Sequence, residues 1–321
     1  MLQNKFTNSI NTNFLEPLVS IGIPSYNCSS YILETLESVK NQTYPNIELV
    51  IIDDCSTDDS VEIITKWLAE CDLKQVSFHC NHANLGVVKT CNLLLNEFSG
   101  KYYTLLGSDD ILLPTKTEQQ VKIFQTSDEA LAVIYSDAIV INENSEIIQD
   151  SYFKRIGLNE LPQGMLFSKL LQINFIPALS VLIRTSFVKK IKGYDETLSF
   201  EDWDMWLILS LRYKFYGMPA CTAKYRIHTK SVMQKEENMI RLNRSYIDMY
   251  RKYLGRSLNF DAFILNKIQK HSIYLYYKGD RSAHRFLMWS FKRSFSIKVF
   301  IYFLLAVLGI RLTISKVRII Q

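Results

Sequence analysis

Four apolar runs in this chain of 321 residues each end on oxygen-bearing side chains. The first runs into Ile23-Pro-Ser-Tyr-Asn27 and the second into Asp53-Asp54-Cys55-Ser56-Thr57-Asp58. The third leads to Asn84-Leu-Gly86, and the fourth closes on Gly107-Ser-Asp109-Asp110. One Asp-Asp pair after a strand is commonly a helix cap or a turn. Two such pairs at separate strand ends point to a shared ligand edge, because open α/β sheets bind ligands beyond the carboxyl ends of their strands. The sequence holds neither G-x-G-x-x-G after a strand nor G-x-x-x-x-G-K-[ST], so no glycine-rich phosphate cradle is encoded. A carboxylate-rich edge lacking that cradle repels a diphosphate. A divalent cation with oxygen ligands removes the repulsion, and Asp109 and Asp110 are the best-placed side chains to hold one.

The frame for these residues is an alternation of short apolar runs and helical patterns, which predicts an α/β layer architecture. Strands are expected at Leu18–Ile23, Glu48–Ile52, Gln75–Cys80, Tyr102–Leu106 and Leu131–Ser136. Glu48-Leu-Val-Ile-Ile52 is almost continuously apolar, as befits a central strand covered on both faces. Helices fall between them: one capped by Ser29 or Ser30 and burying Ile32, Leu36 and Val39, one from about Asp58, and others near 87–98 and 115–125. In the second half Ala178–Ile183 reads as a strand, Thr185 as a helix cap and Trp203–Arg212 as an amphipathic helix. Beyond about residue 235 the pattern is helical.

Composition allows this frame and excludes others. With 48% apolar and 21% charged residues a core can form, and 11 glycines and 7 prolines rule out collagen-like or linker architectures. The net charge of +5 is uneven: no acid follows Asp280, and the eight cations beyond it leave the first 280 residues at −3. An acidic body with a basic, apolar tail argues against a nucleic-acid binder and for an anionic membrane surface. The tail holds Val299–Ile310, twelve residues without a charge, too short to span a bilayer at 1.5 Å per residue. It reads either as a buried core helix or as a helix lying in the interface, and its cationic flanks favour the latter. Six cysteines show no C-x-x-C pair, and His79 and His82 around Cys80 lack a second ligand pair. The start of the chain is polar up to Phe14 without a signal-peptide core, so reduced thiols in a cytoplasmic protein are expected.

The ordered set of motifs resembles family 2 glycosyltransferases with the GT-A fold, the inverting nucleotide-sugar transferases of polysaccharide assembly. It comprises Val19-Ser-Ile-Gly-Ile-Pro-Ser-Tyr-Asn27, Val50-Ile-Ile-Asp-Asp-Cys-Ser-Thr-Asp58, Asn84-Leu-Gly86, Leu106-Gly-Ser-Asp-Asp-Ile-Leu-Leu-Pro114, Gly193-Tyr-Asp-Glu196, Glu201-Asp-Trp-Asp204 and Tyr225-Arg-Ile-His228. The resemblance implies a Rossmann-like mixed sheet flanked by helices over residues 17–230, after a polar extension (1–16) and before a C-terminal helical region (231–321). It also implies a donor pocket lined by Pro24, Tyr26, Asn27, Asn84, Gly86 and Ser108, with Asp53 or Asp54 accepting from the base, typically uracil. Asp109 matches the metal-binding acid of a D-x-D motif and Asp110 stands beside it, whereas the motif's first acidic position is Gly107. Mn²⁺ or Mg²⁺ would then rest on fewer protein carboxylates. His228 would join the metal and diphosphate, with Arg226 close to the leaving group.

Asp202, beside Glu201, matches the family's general base, which takes a proton from the attacking sugar hydroxyl. The same two acids suit the first turn of a helix beginning near Trp203. Trp203 either packs in the core or stacks on an acceptor sugar, and His228 is either structural or a ligand. The expected activity is transfer from a nucleoside diphosphate sugar to a hydroxyl of a glycan or lipid-linked glycan, at the inner face of the cell membrane. A membrane-tethered nucleotide-sugar sensor and a nucleotidyltransferase are the competing classes. The tail has dimerisation, packing on the catalytic domain and lipid contact open to it.

Overall fold

The computed structural model describes residues 16–228, 236–256 and 258–312. The first half follows the alternation: β1 Val19–Ser25, α1 Ile32–Lys40, β2 Ile47–Asp53, α2 Ser60–Glu70, β3 Val76–Cys80, α3 Val87–Glu97, β4 Tyr102–Leu105, β5 Ile111–Leu112 and α4 Lys116–Thr126. Next come β6 Leu131–Ile141, β7 Ile147–Gln149, α5 Tyr152–Arg155, α6 Phe167–Gln172, a 3₁₀ turn Ala178–Ser180, β8 Leu182–Arg184 and α7 Thr185–Lys190. The chain continues through α8 Asp202–Ser210, β9 Lys214–Arg226, α9 Glu236–Tyr253, α10 Leu258–Tyr277, α11 Ala283–Phe291 and α12 Ile297–Val307.

The strands form one mixed sheet in the order β3-β2-β1-β4-β8-β6-β9-β5, with β7 on the flank of β6. Strands β1 to β4 pair in parallel, β8 runs against both β4 and β6, and β6 and β9 are parallel. This mixed sheet between helices is the architecture that the resemblance implies. Every residue of β2 is buried, as its apolar run demands. Period-two alternation splits that strand between two cores. Leu49 and Ile51 face α1, α2 and α4, whereas Val50 and Ile52 face α3, α8 and the C-terminal helices. Ile247, Tyr250, Ile264, Ile268, Leu287 and Val299 share that second core with Trp203 and Met205.

Three elements depart from the sequence expectation. The run Ala178–Ile183 begins as a 3₁₀ turn and only becomes a strand at Leu182. Helix α8 is buried on all sides rather than amphipathic, because the sheet covers one side and α9 the other. Strand β9, of 13 residues, was hidden by Gly217 and Pro219, residues that usually end strands. A register shift between Ser136↔Met218 and Asp137↔Cys221 bulges Pro219 and Ala220 out of the ladder, which spares the missing N–H. The extension upstream of residue 16 and Lys230 lie outside the described residues.

Candidate active site

The carboxyl ends of β1, β2 and β4 open into one cleft of about 1350 Å³. Its lining includes Pro24, Tyr26, Asn27, Asp54, Asn84, Gly86, Ser108, Asp109, Asp110, Glu201, Asp202, Trp203 and His228. Residues from six of the seven motifs thus meet in one place, Gly193-Tyr-Asp-Glu196 being the exception, and two of the expected residues do not line it: Asp53 and Arg226.

Asp53 and Asp54 divide the work of one strand end. The Asp53 carboxylate accepts from Ser25 Oγ (2.8 Å), Ser56 N (2.7 Å) and Ser56 Oγ (2.6 Å), and the residue is fully buried. It ties β1 to the loop after β2. Asp54 points the other way and accepts from Asn81 Nδ2, Leu85 N and Gly86 N, each at 2.8 Å. Two of those donors are backbone N–H groups at the start of α3, where a carboxylate is favoured. Gly86 adopts φ 87°, which turns both N–H groups inward; a side chain there would strain the backbone. Asn27, at φ 48°, accepts from Thr57 N (2.8 Å) and clips the β1 and β2 loops together.

At the end of β4, Asp109 Oδ2 lies 2.9 Å from His228 Nε2. The Asp109 backbone carbonyl accepts from Arg226 Nε at 2.7 Å. Asp110 Oδ1 accepts the Arg226 backbone N–H at 2.9 Å, so this acid is turned into the cleft wall to fix the end of β9. Burial first, then the neighbouring Asp109, raises the Asp110 pKa well above the usual range. One oxygen of Asp110 is thus committed to the backbone, and Asp109 is the acid whose carboxylate faces His228. A Cβ on Gly107 would come within 2.9 Å of both Asp109 Oδ1 and Asp110 Oδ2. The expected acid at that position is thus replaced by a residue against which the two remaining carboxylates close.

Arg226 is a strut rather than a wall of the donor pocket. Its side chain is 1% exposed, reaches Glu34 Oε2 at 2.5 Å, Ser145 Oγ at 2.9 Å and Asn142 O at 3.1 Å, and lies over the Tyr31 ring. The guanidinium therefore holds the Asp109 loop from behind.

Glu201 and Asp202 sit where the chain enters α8. Asn174 Nδ2 donates to Asp202 Oδ2 at 2.7 Å, and Trp203 N donates to Oδ1 at 2.6 Å. Glu201 makes no capping bond to the helix. Burial, followed by Asp202, pushes Glu201 up to about 7; burial likewise raises Asp202 against its hydrogen bonds. Trp203 is in the core, its Nε1 donating to Leu170 O at 2.6 Å and its ring set edge-on to Tyr246 and Tyr250. Only the margin of that indole reaches the cleft.

Tyr225 connects the two acidic centres. It lines the cleft with both of them, and its phenol is raised by burial and then by the charges of Asp110, Tyr152, Asp109 and Asp202. Tyr152 packs edge-on against it with centroids 5.9 Å apart. Sequence reasoning missed Asn174 and Tyr152, which lie in loop and short-helix segments without a recognisable pattern. It also missed Arg241, Lys267, Lys270 and Lys298, cleft residues carried by α9, α10 and α12. The only signal for them was Lys267 and Lys270 spaced one helical turn apart.

Among the described residues no three side chains of His, Cys, Asp or Glu type converge as a metal cage. The donor set that does converge is one carboxylate and one imidazole, Asp109 and His228. Such a pair suits a divalent cation that takes its remaining oxygens from a diphosphate and water. The six cysteines are free, and the Cys80 region gathers no ligand set. No described helix is long and apolar enough to cross a membrane.

The glycosyl transferase family 2 model matches residues 20–189. The curated relatives include the UDP-Glc:alpha-D-GlcNAc-diphosphoundecaprenol beta-1,3-glucosyltransferase WfaP of Escherichia coli, 30% identical over 83% of this chain and 99% of that protein. An uncharacterized glycosyltransferase of Haemophilus influenzae is 29% identical over 83% of each. Among solved structures, S. aureus TarS 1–349 in complex with UDP superposes with a TM-score of 0.57 at 17% identity, over 94% of each chain. The mannosyltransferase PcManGT of Pyrobaculum calidifontis with GDP-Man and Mn²⁺ gives 0.59 at 15% identity, over 92% of this chain and 80% of that one.

Proposed function

From the premise that the chain belongs to glycosyl transferase family 2 and is a glycosyltransferase, we propose that it moves a sugar from a UDP-sugar to a hydroxyl of a lipid-linked glycan, with inversion. One observation carries the reading: Asp54, Asp109, His228 and Asp202, taken from four distant stretches, line a single cleft. The UDP-Glc and the diphosphoundecaprenol-linked substrate in the name of the E. coli relative support the choice of substrates.

The base of the donor would lie near Asp54, whose Oδ2 accepts from Gly86 N at 2.8 Å and has a further lone pair for the imide of uracil. Asp109 and His228 would hold a divalent cation, which when bound neutralises diphosphate charge and stabilises the departing nucleotide. Asp202 accepts the proton of the attacking hydroxyl at the carboxylate oriented by Asn174 and Trp203 N. Its raised pKa makes it a stronger base than a surface aspartate, and neighbouring Glu201 can share that proton. Attack from this side, opposite the leaving group, inverts the anomeric centre. The protein would work at the inner membrane face, with α12 against the lipid surface.

A panel of nucleotide sugars, with and without Mn²⁺ or Mg²⁺, tests this directly. Free UDP should appear from one donor, and EDTA should stop it. Pyrophosphate release from a nucleoside triphosphate, or donor binding with no release in the presence of any acceptor, would refute the reading.

A further inference from the structure

The cleft has a second charged wall that the donor chemistry does not use. Arg241 from α9, Lys267 and Lys270 from α10, and Lys298 from α12 all line it together with Glu201 and Asp202. Elsewhere on α9 the cations are matched: Arg244 pairs with Asp280, Arg251 with Asp248, and Lys252 with Asp195 and Asp204. None of the four cleft cations pairs with a carboxylate among the described residues. Their mutual repulsion is felt: Lys267 is lowered by burial and then by Lys270, and His271 is pushed down to about 3 by burial, Lys267 and Lys270. A concave wall of cations that make no ion pair favours an anionic ligand.

The helix that carries Lys298 adds a second requirement. Along α12 and its C-cap residue Leu308, Ile297, Phe300, Ile301, Leu304, Val307 and Leu308 are exposed, spaced as one helical stripe. Ile297 and Leu308 are each 69% exposed. An anion that also carries a long hydrocarbon chain satisfies both features, with its charge in the cleft and its chain along the stripe. The donor's own diphosphate belongs at the Asp109–His228 end.

We propose that Arg241, Lys267, Lys270 and Lys298 form a subsite for the diphosphate of a lipid-linked acceptor, whose chain leaves the cleft along α12 at the membrane surface. The acceptor's part in transfer rests on the glycosyltransferase mechanism above; the binding of a lipid diphosphate does not. The test titrates the full chain with farnesyl diphosphate, farnesol and inorganic diphosphate, using UDP to report on the donor pocket. Farnesyl diphosphate should bind at least tenfold more tightly than either other probe. R241Q/K267Q/K270Q should weaken it at least tenfold and leave the UDP affinity within twofold. The exposed single change K270Q should give a smaller loss in the same direction, which keeps the test decisive if the triple variant misfolds. Unchanged farnesyl diphosphate affinity in the variants would overturn the subsite. So would complete displacement by UDP, which would put the probe in the donor pocket, or inorganic diphosphate binding equally well. If no donor releases UDP yet these binding differences hold, the transferase mechanism fails and the subsite stands.

Discussion

Replacing Asp202 by Asn separates chemistry from binding at this site. The substitution keeps the shape of the side chain and removes its basicity. Asn174 can accommodate it: Nδ2 now donates to Asp202, and Asn174 Oδ1 is buried without a hydrogen-bond partner. A flip of the Asn174 amide would present that oxygen to the new amide N–H and keep the two side chains bonded, while its own N–H₂ moves to the position where Oδ1 has no partner. Removing a carboxylate raised by burial also relieves a desolvation cost. The relieved burial of charge and the unpaired amide oppose each other, so stability at pH 7 should stay within about 1 kcal/mol of the unsubstituted protein. Loss of a general base costs about 10²–10⁴-fold in rate, or about 2.7–5.5 kcal/mol of barrier. Because the Asp54 and Asp109 bonds do not involve Asp202, the affinity for UDP should stay within twofold. The assay is UDP release under saturating donor, beside a UDP titration and a melting curve on the same protein. A kcat within tenfold of the unsubstituted enzyme would remove Asp202 from the base role. A parallel collapse of UDP affinity would show that the residue organises the cleft instead.

Two further outcomes follow from buried charges. Asp54→Asn turns an amide N–H₂ toward backbone donors at Leu85 or Gly86, so stability should fall by about 1.5–3 kcal/mol, and UDP binding should weaken as the Asn84–Gly86 turn relaxes; unchanged melting and UDP titration would contradict this. Lys116 is fully buried, with Nζ on Gln120 Oε1 and Val181 O at 2.9 Å, and burial lowers it to about 7. Between pH 7 and its unfolded pKa near 10.4 the unfolded chain holds the extra proton, so stability rises with pH by up to about 1.4 kcal/mol per unit. Urea unfolding of Lys116→Met at pH 7 and 9 should lack that rise; equal slopes for both proteins would refute it.

The parallel half of the sheet was readable because β1, β2 and β4 are short apolar runs that end on polar residues, and helices of 3.6-residue period lie between them. The strand-end residues were readable for the same reason. Which of Asp53 and Asp54 faces the cleft was not, since the choice depends on Ser25, Ser56 and the start of α3 folding around them. That Arg226 turns into the protein was not readable either, because its partner Glu34 lies 192 residues away, and a buried arginine cannot be told from a ligand-binding one by position. Strand β9 was masked by a proline that only a bulge makes tolerable. The cationic wall was invisible because it is assembled from three helices whose packing no local pattern encodes.

Helix α8 has no solvent face. Asp204, two residues beyond the proposed base, is bonded by Lys252 Nζ and Tyr253 Oη of α9, while Trp203 is wedged among Tyr246 and Tyr250. The piece of protein that activates the nucleophile is therefore gripped by the piece that supplies the cationic wall. Grafting a different C-terminal region onto this sheet, to change what the protein glycosylates, would disturb the seat of the base as well. Acceptor choice and turnover are mechanically joined here, and relatives that diverge in one should carry compensating changes in the other.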